Sequence, residues 1–471
     1  MSNWVIIEVV VLWVLTWGLI PFVLAQRTKT PVAMLAWMWA ILLLPVVGAV
    51  AFLLFGSERV QRKRLKMVEA FRQSVDQSHV ALTEEEMRSD LGQEWPELYR
   101  INHTHATQGN HVQLLPDGVT FFPRLLEVIE TAQRHVCLQF YIWETDETGR
   151  RLRDALVVAA RRGVEVRVLL EEVGSLGMRR SFFNDLLAAG GKFSWFGTFA
   201  PLRGSLHLNL RHHGKLVVVD SSTALTGGMN VGDEYWQGSG RQRPYRDLQV
   251  AVQGPAVLQL MQQFAQDWYF ATREALTQNH FYPPAPHPGQ ASIQLVAGGP
   301  DNDLNEVQLS VLSLLHRARE RIWIMTPYFV PEPPLMAALQ LAAMRGVDVR
   351  IIVPGRGNHF YLTAVTRSYY EELLPHGVSI YEYQPRMLHA KVTTIDGRYA
   401  MTGSANMDIR SLRINFELNL LISGDGIVPQ FEKMIEADFA DSERVDWGEF
   451  KRRPLRQKIA EAICRPLAPL L

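Results

Sequence analysis

The sequence predicts an α/β protein in which one strand–helix–strand unit occurs twice, after an apolar segment at the amino terminus. Three observations lead to this prediction. Two long apolar runs occupy the first 55 residues, a βαβ pattern recurs in the second half of the chain, and a polar motif recurs with it. Hydrophobic residues make up 47% of the 471 residues and charged residues 20%, which excludes a chain that is disordered throughout.

Charge and cysteine content exclude two further classes of protein. Basic and acidic residues are equal in number, 48 each, which argues against a broadly basic surface for nucleic acid. The two cysteines, Cys137 and Cys464, allow at most one disulfide bond. A disulfide-stabilised scaffold and a cysteine-based zinc site are therefore excluded, and we expect both thiols to be inert.

The first element, residues 1–58, is predicted to be a transmembrane hairpin. Residues 4–25 contain one charge, Glu8, and residues 31–55 contain none. At about 1.5 Å per residue the first run extends about 33 Å, enough for a hydrocarbon layer of about 30 Å. A cleaved signal peptide is the alternative for the first run, but this run has no basic start and a second apolar run follows it directly.

Basic residues predict the orientation of the hairpin. Two lie in the loop between the spans and five follow the second span; they are Arg27 and Lys29, then Arg59, Arg62, Lys63, Arg64 and Lys66. This imbalance favours a cytoplasmic location for the large carboxyl-terminal part.

Residues 59–108 are polar and mixed in charge, and are predicted to form a linker. Three histidines lie near its end: His103, His105 and His111. No cysteine or carboxylate at ligand spacing completes a metal site around them, so none is predicted.

The βαβ pattern is present in both halves of the remaining chain. In the first half an apolar run at 136–143 precedes a helical pattern at 150–162 and a β-branched run that ends at 169. The second half repeats this order at 322–329, 334–345 and 345–352. Gly163 and Gly346 end the two helical patterns. Buried strands joined by a crossover helix predict a parallel or mixed sheet in each half.

The second repeated feature is a polar motif, H-x-K-x4-D-x6-G-[GS]-x-N. Its two copies contain His213, Lys215, Asp220 and Asn230, and then His389, Lys391, Asp396 and Asn406. On a strand, residues i and i+2 share a face, so each histidine and lysine are expected to project together. We group the aspartates with the catalytic residues, although their position at the far strand end favours a role in holding a hairpin turn.

These residue types together predict phosphoryl chemistry without a metal or a cofactor. One imidazole attacks phosphorus, lysine and asparagine donate to the phosphate oxygens, and the second imidazole exchanges a proton with the leaving and entering alcohols. Two ordinary hairpins with solvated side chains are the alternative. The recurrence of the whole motif inside matching βαβ frames argues against it.

The duplicated motif resembles that of the phospholipase D superfamily. Together with the hairpin, it resembles the bacterial cardiolipin synthases in three stretches: residues 211–235, 326–331 and 403–419. Gly228 departs from the pattern, because serine is the commoner residue there. The resemblance implies a pseudo-twofold pair of phospholipase D-like α/β/α domains, at residues 109–280 and 281–445.

The resemblance also implies a carboxylate that orients each histidine, and Asp247 and Glu417 are the candidates. Each begins an alternating strand that ends at a glycine, Gly254 or Gly424. It further implies that His213 is the nucleophile and His389 the general acid and base, a distinction that the sequence alone leaves open.

The activity implied is phosphatidyl transfer between two phosphatidylglycerol molecules, which gives cardiolipin and glycerol, in the inner membrane of a bacterium. Phosphatidylglycerol and membrane lipids are thus the expected partners, and nucleic acid is not. A membrane-bound hydrolase of the same superfamily or another phosphatidyltransferase is the main alternative, and a membrane-tethered nuclease and an inactive scaffold are the others. The metal-dependent alcohol phosphatidyltransferases are not expected, since the two apolar spans contain no aspartate.

The last segment, residues 446–471, is basic at first and then apolar. Two alternatives stay open for it: a helix lying on anionic lipid, or a helix packed on the catalytic domain.

Overall fold

The computed structural model describes residues 13–14, 16–24, 31–52, 94–197, 211–238, 243–299, 304–357, 359–424 and 426–470. Half of the first predicted span and all of residues 59–93 of the predicted linker lie outside these ranges.

The described amino-terminal residues include the helices α1 (Ile20–Leu24), α2 (Pro31–Leu43) and α3 (Pro45–Ala51). Val23, Ile41 and Phe52 are buried against one another. Among the described residues, no helix has the length and apolar character needed to cross a membrane. The second predicted span, as far as it is described, is divided at Leu44 into α2 and α3, and Pro45 at the start of α3 has no N–H to continue α2.

The first half of the α/β region follows the short helix α4 (Pro96–Asn102). Its elements are β1 (Thr107–Pro116), α5 (Gly118–Thr131), β2 (His135–Phe140), α6 (Glu147–Arg161), β3 (Glu165–Glu171), α7 (Asn184–Ala188), β4 (Lys192–Phe196), β5 (Leu216–Val219), β6 (Thr223–Gly227), α8 (Asp233–Trp236), β7 (Leu248–Gln253) and α9 (Ala256–Thr272).

The second half repeats this order and then adds a carboxyl-terminal extension. Its elements are β8 (Ala291–Gly298), α10 (Glu306–Arg317), β9 (Arg321–Met325), β10 (Phe329–Val330), α11 (Pro333–Met344), β11 (Asp348–Pro354), α12 (Phe360–Arg367), α13 (Tyr370–Leu373), β12 (Ser379–Tyr383), β13 (Val392–Ile395), β14 (Tyr399–Gly403), β15 (Met407–Asp408), α14 (Ile409–Arg413), β16 (Glu417–Ser423), α15 (Val428–Ala440), β17 (Ser442–Arg444), α16 (Trp447–Lys451) and α17 (Leu455–Cys464).

Fifteen of these strands form one mixed sheet that runs through both halves. The order is β17-β12-β11-β9-β13-β14-β16-β8-β1-β7-β6-β5-β2-β3-β4. The antiparallel pair β1 and β8 lies at the centre, and equivalent strands follow in the same order on either side. The predicted mixed-sheet α/β fold is thus confirmed, with the two halves joined edge to edge.

Both predicted βαβ units are confirmed. Strand β2 pairs in parallel with β3, and β9 with β11, with α6 and α11 as the crossover helices. Helix α6 begins before the predicted position because the Asp146 carboxylate accepts a hydrogen bond from Gly149 N–H at 2.9 Å and caps it. Gly163 and Gly346, with φ of 92° and 89°, end the two crossovers in the left-handed conformation.

Three buried clusters stabilise this arrangement. One lies under α5 and α6 in the first half, and a second lies under α10 and α11 in the second half. The third lies on the other side of the sheet, under α9 and α15, and contains residues of both halves. Because this cluster is shared, the two halves pack as one body around the central strands.

The carboxyl-terminal segment packs on the second half, as in one of the two alternatives. Helix α17 contacts α12, Cys464 is buried, and the Arg453 guanidinium binds the Glu461 carboxylate at 2.6 Å. The outer face of α17 exposes a row of apolar side chains: Leu455, Ile459 and Ile463.

Candidate active site

The two motif copies meet where the halves join. The backbone N–H of His213 donates to the Phe416 carbonyl at 2.8 Å, and that of His389 donates to the Arg246 carbonyl at 2.7 Å. Phe416 and Arg246 directly precede Glu417 and Asp247. Each histidine is therefore tied to the segment that carries the other half's carboxylate.

The histidine side chains also bind the opposite half. Nδ1 of His213 lies 3.0 and 3.1 Å from the two Glu417 oxygens, and Nδ1 of His389 lies 2.6 Å from Asp247 Oδ2. Both carboxylates are fully buried. The resemblance pointed to these two carboxylates, and the structure adds that each one binds the histidine of the opposite half. Neutral imidazole held in this way carries its proton on Nδ1 and leaves the Nε2 lone pair available.

The two lysines are buried beside the histidines. Lys215 Nζ donates to the His213 carbonyl, and Lys391 Nζ donates to the His389 carbonyl and lies 3.2 Å from His389 Nε2. One detail of the prediction is wrong: strands β5 and β13 begin after Lys215 and Lys391, so the histidines and lysines lie in the approach to each strand.

The motif asparagines reach the same end of the hairpins but have protein partners. Asn230 Nδ2 donates to the Tyr235 hydroxyl at 3.0 Å, and Asn406 Nδ2 donates to Asp408 Oδ2 at 3.1 Å. Before either amide nitrogen could bind a phosphate oxygen, these contacts would have to be shared or exchanged.

The structure separates Asp220 and Asp396 from the catalytic groups with which the sequence grouped them. The Asp220 carboxylate accepts hydrogen bonds from three backbone N–H groups, those of residues 133–135, at 2.7–2.9 Å. Asp396 does the same with the N–H groups of residues 319–321. Both lie at the far end of their hairpins with φ near 54°. Their inclusion among the catalytic residues is therefore corrected: they tie each hairpin turn to the start of β2 or β9.

Burial sets the charge state of the central groups. It lowers the pKa of His213 and of His389 to about 4, so both imidazoles are neutral at pH 7. It also lowers the pKa of Lys215 to about 7 and that of Lys391 to about 8. Burial would raise the pKa of Glu417, but His213 and Lys215 hold it at about 2, so this carboxylate is ionised.

The glycine at position 228, where serine is the commoner residue, has a steric explanation. A Cβ at this position would lie 2.2 Å from Asp247 Oδ1. At the equivalent position in the second half, the Ser404 hydroxyl donates to Glu417. Glycine thus leaves room for the shorter carboxylate, and serine adds a donor to the longer one.

Several side chains around the site were not predicted from the sequence. The Tyr141 ring centre lies 5.1 Å from that of His213, and Tyr235 lies 5.6 Å from His389 in the same edge-on manner. Arg211 and Arg410 lie in the segments next to the motifs. Their position next to the motifs was the only sequence feature that could have identified these two arginines, because they are not part of the repeated motif.

No group of three or more His, Cys, Asp or Glu side chains with metal-binding geometry occurs in the described part of the chain. His103, His105 and His111 do not form such a group.

Comparison with known proteins places this geometry in a family. A family model described as "Cardiolipin synthase, PLD-like domain" matches residues 125–268 and 311–439. The cardiolipin synthase of Geobacillus kaustophilus is 34% identical over 96% of this chain and 91% of its own length. The major cardiolipin synthase ClsA of Bacillus subtilis is 34% identical over 95% of this chain and 96% of its own.

A solved structure shares the fold. The phosphatidylserine synthase of Haemophilus influenzae superposes with a TM-score of 0.59 at 16% identity, covering 76% of this chain and 93% of that one. At this identity the likeness concerns the fold alone.

Proposed function

The chain belongs to the family of cardiolipin synthases with phospholipase D-like domains, and we propose that it transfers a phosphatidyl group from one phosphatidylglycerol to the terminal hydroxyl of another, releasing glycerol. One observation carries the mechanism: two imidazoles, a buried one of His389 and a largely buried one of His213, are each bound through Nδ1 to a carboxylate of the opposite half and lie beside two buried lysines.

In the first step, Nε2 of His213 attacks the phosphorus of the donor lipid. The bond from phosphorus to the glycerol oxygen breaks, His389 gives that oxygen its proton, and glycerol leaves. In the second step, the hydroxyl of the acceptor lipid gives a proton to His389 and its oxygen attacks phosphorus. The phosphorus–nitrogen bond breaks, which releases cardiolipin and restores His213. No nucleotide is consumed, so the exchange is reversible.

The charges suit this sequence of steps. A neutral His213 is ready to attack, and the ionised Glu417 stabilises the cationic imidazole that forms with the phosphorus–nitrogen bond. His389 must carry a proton when the donor is bound. The negative charge of the phosphodiester raises the pKa of an adjacent imidazole, so we expect this proton to arrive with the substrate. Lys215 and Lys391 donate to the phosphate oxygens.

The two apolar runs are the basis for the proposed membrane location of this enzyme. We propose that residues 4–25 and 31–55 form a hairpin that crosses the inner membrane of a bacterium. The five basic residues after the second run favour the cytoplasmic side for the catalytic part. An anchored active site would meet its lipid substrates at the membrane surface.

The test uses the purified full-length protein with labelled phosphatidylglycerol in detergent and excess EDTA. Cardiolipin and glycerol as products are expected. Phosphatidic acid alone would instead identify a hydrolase, and no lipid product from folded protein would refute both activities. In the same assay His213→Asn should form no labelled adduct, whereas His389→Asn should slow the release of glycerol. An adduct on the His213→Asn protein would reverse the two roles.

A further inference from the structure

Two arginines break the symmetry of the site. Arg211 precedes His213 by two residues, and Arg410 follows Asn406 by four. The two motif copies are 176 positions apart (389 − 213). By the same offset, the counterparts of Arg211 and Arg410 are Met387 (211 + 176) and Glu234 (410 − 176). The two guanidinium groups therefore have no equivalent in the other half of the site.

Both arginines are fixed to the segment that leads into Glu417. The Arg211 carbonyl accepts from Phe416 N–H at 2.8 Å, and the Arg410 carbonyl accepts from Asn415 N–H at 2.7 Å. Arg410 Nη2 lies 3.4 Å from Asn415 Oδ1, and the amide nitrogen of Asn415 lies 3.3 Å from Glu417 Oε1. The two arginines thus lie next to each other along the segment that leads into the His213–Glu417 pair.

The positive charge here is incompletely matched. Nη1 of Arg211 is buried and has no hydrogen-bond partner among the described residues. Burial, together with the charge of Arg211, lowers the pKa of Arg410, and the carboxylates of Asp408 and Glu417 oppose this effect only in part. Glu171 is close enough to interact with Arg211, but burial raises its pKa to about 7, so it supplies only part of a negative charge at neutral pH. A buried donor without a partner and two like charges are unfavourable until an anion binds them.

The surroundings connect this cationic cluster to the reacting atoms. Burial raises the pKa of Tyr141, and both arginines oppose this effect, which places all three within electrostatic reach of one another. The Tyr141 ring centre is 5.1 Å from that of His213. An anion held by the arginines would therefore lie beside the histidine that becomes phosphorylated in the proposed mechanism.

We propose that Arg211 and Arg410 form a second phosphate-binding subsite, which holds the phosphodiester of the acceptor lipid while its terminal hydroxyl attacks. The identity of this ligand rests on the proposed function. The acceptor carries its own phosphate, distinct from the phosphate that is transferred, and guanidinium groups match phosphate oxygens with paired donors. The duplicated motif supplies cations for one phosphate, and the arginine pair supplies them for the other. Water and glycerol carry no phosphate, so this subsite favours a phospholipid over both as acceptor.

The experiment compares two acceptors for the same donor. Full-length protein is given phosphatidylglycerol and labelled glycerol, and both cardiolipin formation and the entry of label into phosphatidylglycerol are measured. Both reactions share the donor, the phosphohistidine and a primary hydroxyl, but only cardiolipin formation uses an acceptor with a phosphate. Arg211→Gln and Arg410→Gln should each reduce cardiolipin formation about tenfold or more, equal to about 1.4 kcal/mol. Glycerol exchange should change less than about twofold. The control is Arg319→Gln, which removes an exposed arginine at the far end of the hairpin of Asp396.

Three results would overturn the subsite. They are unchanged cardiolipin formation in both variants, an equal fall in both reactions with an unchanged unfolding temperature, and an equal fall in the Arg319→Gln control. If Arg211→Gln lowers the unfolding temperature, Arg410→Gln and Arg211→Lys are used instead. The ratio of cardiolipin formation to glycerol exchange in these variants then tests the subsite. Absence of cardiolipin with the unsubstituted protein would refute the proposed function itself, and that result is separate from any difference between the variants.

Discussion

Replacing Glu417 by glutamine should slow formation of the covalent intermediate while leaving the fold in place. Glu417 accepts from Nδ1 of His213 at 3.0 Å, and it also binds the Ser404 hydroxyl and the Asn415 amide. Glutamine has nearly the same shape but no charge, so it no longer stabilises the cationic imidazole that forms on attack. Its NH2 group can also donate to Nδ1, which would leave the histidine proton on Nε2, the attacking atom.

The magnitude follows from the lost interaction. A hydrogen bond to a charged group contributes about 1.5–3 kcal/mol. At about 1.36 kcal/mol for each factor of ten in rate, its loss lowers the rate of intermediate formation about 10- to 150-fold. Selection of the wrong tautomer adds to this, so the upper part of the range is expected. The assay is rapid mixing with labelled phosphatidylglycerol, quenched in alkaline detergent, which preserves phosphohistidine, followed by measurement of label on the protein.

Asp247→Asn is the matched comparison, because Asp247 binds the other histidine. A donor lipid with a p-nitrophenol leaving group needs no proton as it departs. With this donor Asp247→Asn should form the intermediate at close to the normal rate, while Glu417→Gln should remain slow. Equal losses in the two variants with this donor, or a Glu417→Gln rate within threefold of normal, would refute the division of roles between the histidines.

Three further predictions concern protonation, stability and space. With the p-nitrophenol donor, which needs no proton from His389, kcat/KM should rise as His213 loses its proton near pH 4 and fall as Lys215 loses its own near pH 7; a profile flat from pH 6 to 9 would contradict this. Asp220→Ala leaves three backbone N–H groups without their acceptor, two of them exposed to water, so it should lower the free energy of unfolding by about 1.5–3 kcal/mol, while glycerol exchange per folded molecule stays unchanged. Denaturant titration measures this, and lost exchange with unchanged stability would return Asp220 to the catalytic residues. Gly228→Ser should reduce cardiolipin formation at least about tenfold, because its Cβ would displace Asp247 from His389, and normal activity would show that Asp247 has room to move.

The repeat made much of the fold predictable. Periodicity identified both crossover helices and the strands around them, and Gly163 and Gly346 marked their ends because few other residues adopt positive φ. The joining of both halves into one sheet was not predictable in this way. It depends on the pairing of β1 with β8, whose residues are more than 180 positions apart and share no local pattern.

In the site, too, the contacts between sequence neighbours were predictable and those between distant residues were not. Motif spacing brought His213 and Lys215 together because they are neighbours in sequence. The partners of the histidines were a different matter: Glu417 is 204 positions from His213 and Asp247 is 142 from His389. A local pattern cannot decide which carboxylate serves which histidine, since either assignment leaves every motif intact.

The exchange of carboxylates between the halves makes the catalytic geometry depend on the join. Each imidazole takes its backbone acceptor and its carboxylate from the other half, so neither histidine is oriented within its own repeat. In the proposed mechanism, equivalent donors and acceptors would then act on a single phosphate from two sides. This suits reversible exchange between two alcohols, because the leaving and the entering oxygen would meet the same groups. Such symmetry suits one phosphate but gives no reason to prefer one acceptor over another. We expect preference to come from what the repeats do not share, and beside His213 the unshared charged groups include Arg211, Arg410 and Glu171, whose charge burial makes only partial.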